Sequence, residues 1–128
     1  MRASNQYVYN AWKGLYQGIN YANYAIQGIE GMENYEGDTD LQAMVAEAKF
    51  LRALYAFSLV RYWGDVPFKT TYSDSYEHTY QPRSSRETIY DQIINDLNFA
   101  KGHLAWADAS SSPEKASQGS ARALLMRV

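Results

Sequence analysis

Residues 40–63 carry apolar side chains on two different sides of a helical pattern, and this feature constrains the fold more than any other. A helix with two apolar faces needs a packing partner on each face. We therefore predict that this segment is the central helix of the chain. The first stripe contains Leu41, Met44, Val45, Ala48, Tyr55, Leu59 and Tyr62, and the second contains Phe50, Leu54 and Phe57.

Three further segments, at about residues 5–30, 84–104 and 117–128, have apolar residues at the three- and four-residue spacing of amphipathic helices. No stretch shows a strand pattern. The predicted fold class is therefore all-α, with residues 1–128 forming a single helical domain of antiparallel helix pairs. Possible capping boxes at 39–42 and 84–87 would start the helices at 40 and 84. Gly14 and Gly18 lie beside the apolar stripe of the segment at residues 5–30, where a neighbouring backbone could approach closely. That stripe contains Val8, Trp12, Leu15, Ile19, Ala22, Ile26 and Ile29.

Residues 64–83 have no helical period, and we predict a long loop there, of a length that is often functional. Tyr72, Tyr76 and Tyr80 recur in it every four residues among Ser, Thr and Asp. Aromatic rings surrounded by hydroxyls and carboxylates suit a glycan site, because the ring faces stack on sugar C–H groups. The alternative is a surface loop whose tyrosines pack on the helices.

The composition argues against several classes of function. A net charge of −2 gives no electrostatic footprint for nucleic acid. The chain has no Cys, and its two histidines, His78 and His103, lack ligand-spaced partners, so no metal site is predicted. No phosphate-binding loop or nucleophile motif occurs, and we expect no cofactor, no catalytic residue and no enzymatic activity. No signal peptide or membrane-spanning stretch is visible, so this fragment is expected to be soluble.

Residues 47–68 read EAKFLRALYAFSLVRYWGDVPF. They resemble the signature helix of the SusD/RagB family, whose usual form is close to EARFLRAxxYFxLVRxYGDVPL. Residues 20–26, 89–97 and 116–128 resemble three further helices of the same family, in the same order. The resemblance covers nearly the whole chain.

The resemblance implies an all-α superhelix of tetratricopeptide-like antiparallel helix pairs. It implies a non-catalytic protein, lipid-anchored at the cell-surface face of the outer membrane, that captures oligosaccharides as the lid partner of a SusC-like TonB-dependent transporter. Two alternatives stay open: a scaffold that only binds the transporter, and a member that binds peptides. Family members are several times longer, so we expect this chain to be cut at both ends, with its lipid anchor upstream of Met1.

The signature residues Glu47, Arg52, Gly64, Asp65 and Pro67 are interpreted as structural. Arg52 is a cation on an apolar helix face, where a charge must be paired or reach water. We predict an internal ion pair, with Asp96 or Glu47 as candidate partners; the alternative is contact with a ligand. Gly64, Asp65 and Pro67 are typical of a helix end, with Asp65 bonding a local amide.

The fourth helical segment ends at Val128 with its apolar stripe unfinished. Leu124, Leu125 and Val128 are expected to lack their normal neighbours. Because exposed apolar patches bind partners, we predict dimerisation, swapping or disorder at this end.

Overall fold

The computed structural model of the chain describes residues 3–68, 84–104 and 118–128. These residues form four helices, α1 (Ala3–Glu30), α2 (Thr39–Trp63), α3 (Arg86–His103) and α4 (Gln118–Arg127), with a short 3₁₀ turn at Tyr35–Gly37. Helix α1 packs on α2, α2 on α3, and α3 on α4. The predicted all-α class is confirmed for this part of the chain.

Helix α2 lies at the centre, as its two apolar faces predict. On one side Val45 and Ala48 form a buried cluster with Ile26 of α1. On the other side Ala46 is buried with Ala100 of α3 and with residues of the α3 end and α4. The largest cluster joins all four helices and includes Ile19, Leu59, Ile93 and Leu124. Three members of the two stripes nevertheless reach the surface: Met44, Leu54 and Tyr62.

The start of α2 differs from the predicted capping box. Asp38, not Thr39, is the N-cap: its Oδ1 accepts hydrogen bonds from the amides of Asp40 and Leu41, at 2.9 and 3.2 Å. Gln42 donates to the carbonyl oxygens of Tyr35 and Glu36 instead of reaching back to the cap. The carboxylate of Asp38 also interacts favourably with the positive, N-terminal end of the helix dipole.

The start of α3 shifts by one residue for a similar reason. Ser85 is the N-cap, and its Oγ accepts from the amide of Thr88 at 3.2 Å. Ser84 is left to pair with Val66 in an isolated antiparallel β-bridge. The predicted box from Ser84 to Glu87 therefore gave the right kind of cap at the wrong residue.

Gly14 and Gly18 of α1 have different surroundings. A Cβ at Gly18 would lie 2.7 Å from Cε2 of Tyr55, so a close approach occurs there, although by an aromatic ring and not by a backbone. Among the described residues, none would lie within 4 Å of a Cβ at Gly14. The prediction that a neighbouring backbone approaches is therefore wrong for Gly18, where a side chain does so, and no described residue makes this approach at Gly14.

The C-terminal helix is better packed than expected. Leu124 is buried in the central cluster, and Leu125 and Val128 pack against it. The expectation that these three residues lack neighbours is wrong for Leu124, whereas Leu125 and Val128 are only partly buried. Met126 is the exposed apolar side chain of α4, at 88%. Dimerisation or swapping at this end stays a prediction.

Gly14 and Gly18 give a matched pair of substitutions. We expect Gly18→Ala to lower the free energy of unfolding by about 1–3 kcal/mol, because the added methyl group overpacks against Tyr55. We expect Gly14→Ala to raise it by about 1 kcal/mol, because alanine favours an exposed helix position over glycine. Urea unfolding of both variants would test this, and a change of the same sign in both would contradict it.

Candidate functional site

The most buried polar group of the signature helix is the side chain of Arg52. Its Nε donates to Oδ2 of Asp96 at 2.8 Å, and its Nη2 donates to Oδ1 at 2.6 Å, so the pair is bidentate. Only 5% of the Arg52 side chain and 2% of the Asp96 side chain are exposed. The predicted internal ion pair is confirmed, with Asp96 as the partner.

Two amide side chains complete the environment of this pair. Nη1 of Arg52 donates to Oδ1 of Asn23 at 3.0 Å, and Nε2 of Gln92 donates to Oδ1 of Asp96 at 3.0 Å. Asn23 is itself buried. The network therefore ties α1, α2 and α3 together at one level of the bundle. Its cation and anion already bind each other, which favours a structural role for Arg52 over contact with a ligand.

The helix-stop residues fix the point from which the long loop leaves. Gly64 ends α2 with φ 73°, a conformation that favours glycine, and its amide donates to the carbonyl of Val60 at 2.9 Å. Oδ1 of Asp65 accepts from the amide of Arg86, the first residue of α3, at 2.9 Å. Asp65 thus bonds an amide, as predicted, but one 21 positions away and not a local one.

The two ends of the loop are joined to each other. Val66 is buried, and its carbonyl accepts from the amide of Ser84 at 2.9 Å. The hydroxyl of Tyr16, in α1, donates to the carbonyl of Pro67. We call this set of contacts, made by Tyr16, Asp65, Val66, Pro67 and Ser84, the loop root. It holds the departing and returning chain at the C-terminal end of α2.

Aromatic side chains support the loop root from α1. The rings of Trp12 and Trp63 meet edge to face at 5.0 Å, and Trp12 also contacts Tyr16 at 4.8 Å. Such ring pairs add stability beyond their buried area. Tyr62 extends the row at 5.8 Å from Trp63 and is 78% exposed.

The predicted ligand residues Tyr72, Tyr76 and Tyr80, and also His78, lie outside the described residues. Their assignment stays a prediction. Of the remaining signature residues, Glu47 is half-buried on α2. His103 stacks on Phe99 at 4.0 Å and contacts its carbonyl oxygen. Within residues 3–68, 84–104 and 118–128, no three His, Asp or Glu side chains come together in a way that could hold a metal ion.

An open concavity of about 670 Å³ lies at the other end of α2, along the α1–α2 connection. It is lined by Glu30 and residues 32–39, several of them acidic. Burial, and secondarily the carboxylate of Glu30, raise the pKa of Tyr35 in its wall. Helix α2 separates it from the loop root by about 36 Å at 1.5 Å per residue. The concavity and the loop root therefore lie at opposite ends of α2.

Comparison with known proteins decides the family. The sequence profile of the SusD-like family, described as starch-binding and associating with the outer membrane, matches residues 1–128. The chain belongs to the SusD-like family. SusD-like protein P25 of Formosa agariphila is 34% identical over 98 residues, which cover 77% of this chain and 18% of that protein.

Solved structures agree with the fold of this SusD-like chain. A SusD-like carbohydrate-binding protein from Bacteroides fragilis matches 99% of the chain with a TM-score of 0.85 and 26% identity. A laminarin-binding SusD-like protein matches 91% of it with a TM-score of 0.76 and 31% identity. In each case the chain spans about a quarter of the solved protein. The tetratricopeptide-like arrangement of helix pairs is thereby confirmed.

Two members of the Arg52 network, Asn23 and Gln92, are not predicted from the sequence. Asn23 belongs to the SusD-like stretch at residues 20–26, but no partner was assigned to it. The sequence signal for Asn23 is its position next to Ala22, which belongs to the apolar stripe of α1. A side-chain amide buried there without a hydrogen-bond partner would cost free energy. Gln92 lies four residues before Asp96, a spacing at which helix side chains interact.

The network predicts that two aspartates of α3 contribute very differently to the free energy of unfolding. We expect Asp96→Asn to lower the free energy of unfolding by about 3–5 kcal/mol, because it leaves the buried charge of Arg52 without its counter-ion. Asp91→Asn, at an exposed position of the same helix, should change it by less than about 0.5 kcal/mol. Chemical denaturation of both variants is the measurement. Equal changes in the free energy of unfolding for the two variants would show that the ion pair between Arg52 and Asp96 does not contribute to the stability of the fold.

Proposed function

We propose that the protein containing this chain binds oligosaccharide nutrients, without catalysis, as the lid partner of a SusC-like TonB-dependent transporter at the outer membrane. The observation that carries the proposal is the match of the whole helical scaffold to a SusD-like carbohydrate-binding protein at a TM-score of 0.85. A second SusD-like protein with the same scaffold binds laminarin. The family's description as starch-binding and outer-membrane-associated supports both parts of the proposal.

In this proposal the helices act as a rigid support and the loop carries the ligand contacts. The Arg52 network fixes three helices relative to one another, and the loop root fixes where the chain leaves and returns. Binding sites on loops positioned by a rigid scaffold are common in proteins. Tyr72, Tyr76 and Tyr80 are the proposed ligand residues, because their rings can stack on sugars among hydroxyl-bearing neighbours.

Membrane attachment is proposed to be through a lipid anchor outside residues 1–128, since these residues contain no Cys to carry it. No helix in the described part of the chain has the length and hydropathy that crossing a bilayer requires. The protein would then lie at the cell-surface face of the outer membrane.

The loop tyrosines provide the first test. We expect the triple variant Tyr72→Ala, Tyr76→Ala, Tyr80→Ala to bind starch- or laminarin-derived oligosaccharides at least about tenfold more weakly, a loss of roughly 1.4 kcal/mol. Isothermal titration of the full-length natural protein is the measurement. Tyr62→Ala is the control, because Tyr62 is an exposed tyrosine that lies outside the loop.

Three outcomes would redirect the proposal. Binding of peptides but of no oligosaccharide would make the protein a peptide-uptake member. Arg61 and Glu87 are exposed, and Arg61→Glu or Glu87→Lys reverses a surface charge. If either variant no longer co-purifies with the transporter, and the protein binds no ligand, the result would favour a scaffold that only binds the transporter. Release of reducing ends from laminarin by the purified protein would contradict the non-catalytic role.

A further inference from the structure

The chain leaves α2 through a segment in which most backbone rotations are restricted. Gly64 caps the helix, and Val66 is buried with its carbonyl bonded to the amide of Ser84 at 2.9 Å. Val66 also precedes a proline, which disfavours helical conformations at that residue. The ring of Pro67 then holds its own φ angle at about −65°. The remaining rotation at Pro67 is the angle ψ.

The hydroxyl of Tyr16 restrains this rotation. It donates a hydrogen bond to the carbonyl oxygen of Pro67, 51 positions along the chain. Rotation about ψ moves this oxygen in an arc around the bond from Cα to the carbonyl carbon, so a donor held in a fixed place limits ψ. A side chain of α1 therefore influences the direction in which the chain continues to Phe68.

The packing of its ring holds the Tyr16 hydroxyl in place. The ring lies 4.8 Å from that of Trp12, and Trp12 meets Trp63 edge to face at 5.0 Å. Tyr16 and Phe68 both pack against the central buried cluster. Because a tyrosine has two side-chain rotations before its hydroxyl, a packed ring presents that hydroxyl at a defined position.

The other contacts of the loop root act elsewhere. Asp65 accepts from the amide of Arg86, and Val66 accepts from the amide of Ser84, so both residues join the end of α2 to the start of α3. Pro67 is half-buried, and its carbonyl could accept from water if the hydroxyl were removed. Loss of the hydroxyl should therefore change the direction of the chain more than the stability of the helices.

We propose that Tyr16 is a positioning residue for ligand binding: its hydroxyl orients the carbonyl of Pro67 and, through it, the segment that follows. The inference rests on the proposed glycan-binding function and deepens it, because it names a residue of α1 that acts through the backbone without touching the sugar. A segment that is oriented before the ligand arrives loses less conformational entropy on binding, which raises the affinity.

Isothermal titration of the full-length natural protein with laminarin oligosaccharides and maltooligosaccharides tests this role. Tyr16→Phe removes the hydroxyl and keeps the ring, so the contact with Trp12 is retained. We expect it to weaken binding of the probe that the wild type binds by about three- to tenfold, which corresponds to the net contribution of one hydrogen bond. The midpoint of urea unfolding should change little. Tyr55→Phe is the matched control, because it removes a hydroxyl from another half-buried tyrosine of the same cluster, whose ring contacts Gly18.

The control variant should bind as tightly as the wild type. Equal affinities of the wild type and Tyr16→Phe, with or without a lower urea midpoint, would overturn this inference and leave Tyr16 a structural residue, while the proposed function stands. Equal weakening by Tyr16→Phe and Tyr55→Phe would also overturn it, because the effect would then not depend on the contact with Pro67. Absence of binding to either probe by the wild type would overturn both proposals.

Discussion

The bidentate pair between Arg52 and Asp96 is the interaction on which the arrangement of the first three helices depends. Moving a guanidinium and a carboxylate out of water is costly, and their attraction offsets that cost only when the geometry is good and the remaining polar atoms are bonded. Here the contacts are 2.8 and 2.6 Å, and Asn23 and Gln92 bond the outer sides of the pair. An apolar contact tolerates a small slip between helices, whereas this set of hydrogen bonds does not. The network therefore selects one register of α1 and α3 along α2.

The same network explains why the signature stretch is a guide to the fold more than to the ligand. Arg52 lies in the interior, and Gly64, Asp65 and Pro67 serve the end of α2 and the loop root. The scaffold that these residues support in this chain matches SusD-like proteins at 26–31% identity.

Much of the helical architecture could be predicted from the sequence because it depends on periodicity. The two apolar stripes of α2 determine that it lies at the centre, and a cation on one of them requires a buried partner. The helix starts were less predictable, because Asp38 and Thr39, or Ser84 and Ser85, can each cap a helix and tertiary contacts decide between them. The role of Asn23 depends on a contact 29 residues away along the chain. The segment that carries Tyr72, Tyr76 and Tyr80 has no amphipathic pattern that would fix where these side chains lie, so sequence reasoning ends at their chemistry.

The bridge between Val66 and Ser84 has a consequence for how such proteins diversify. With both ends of the intervening segment pinned to the helices, residues can be inserted or deleted there without moving α2 or α3. The entropic cost of lengthening a closed loop is small, about 0.6 kcal/mol for each doubling. Evolution can therefore change the size and composition of this segment almost independently of the helical scaffold.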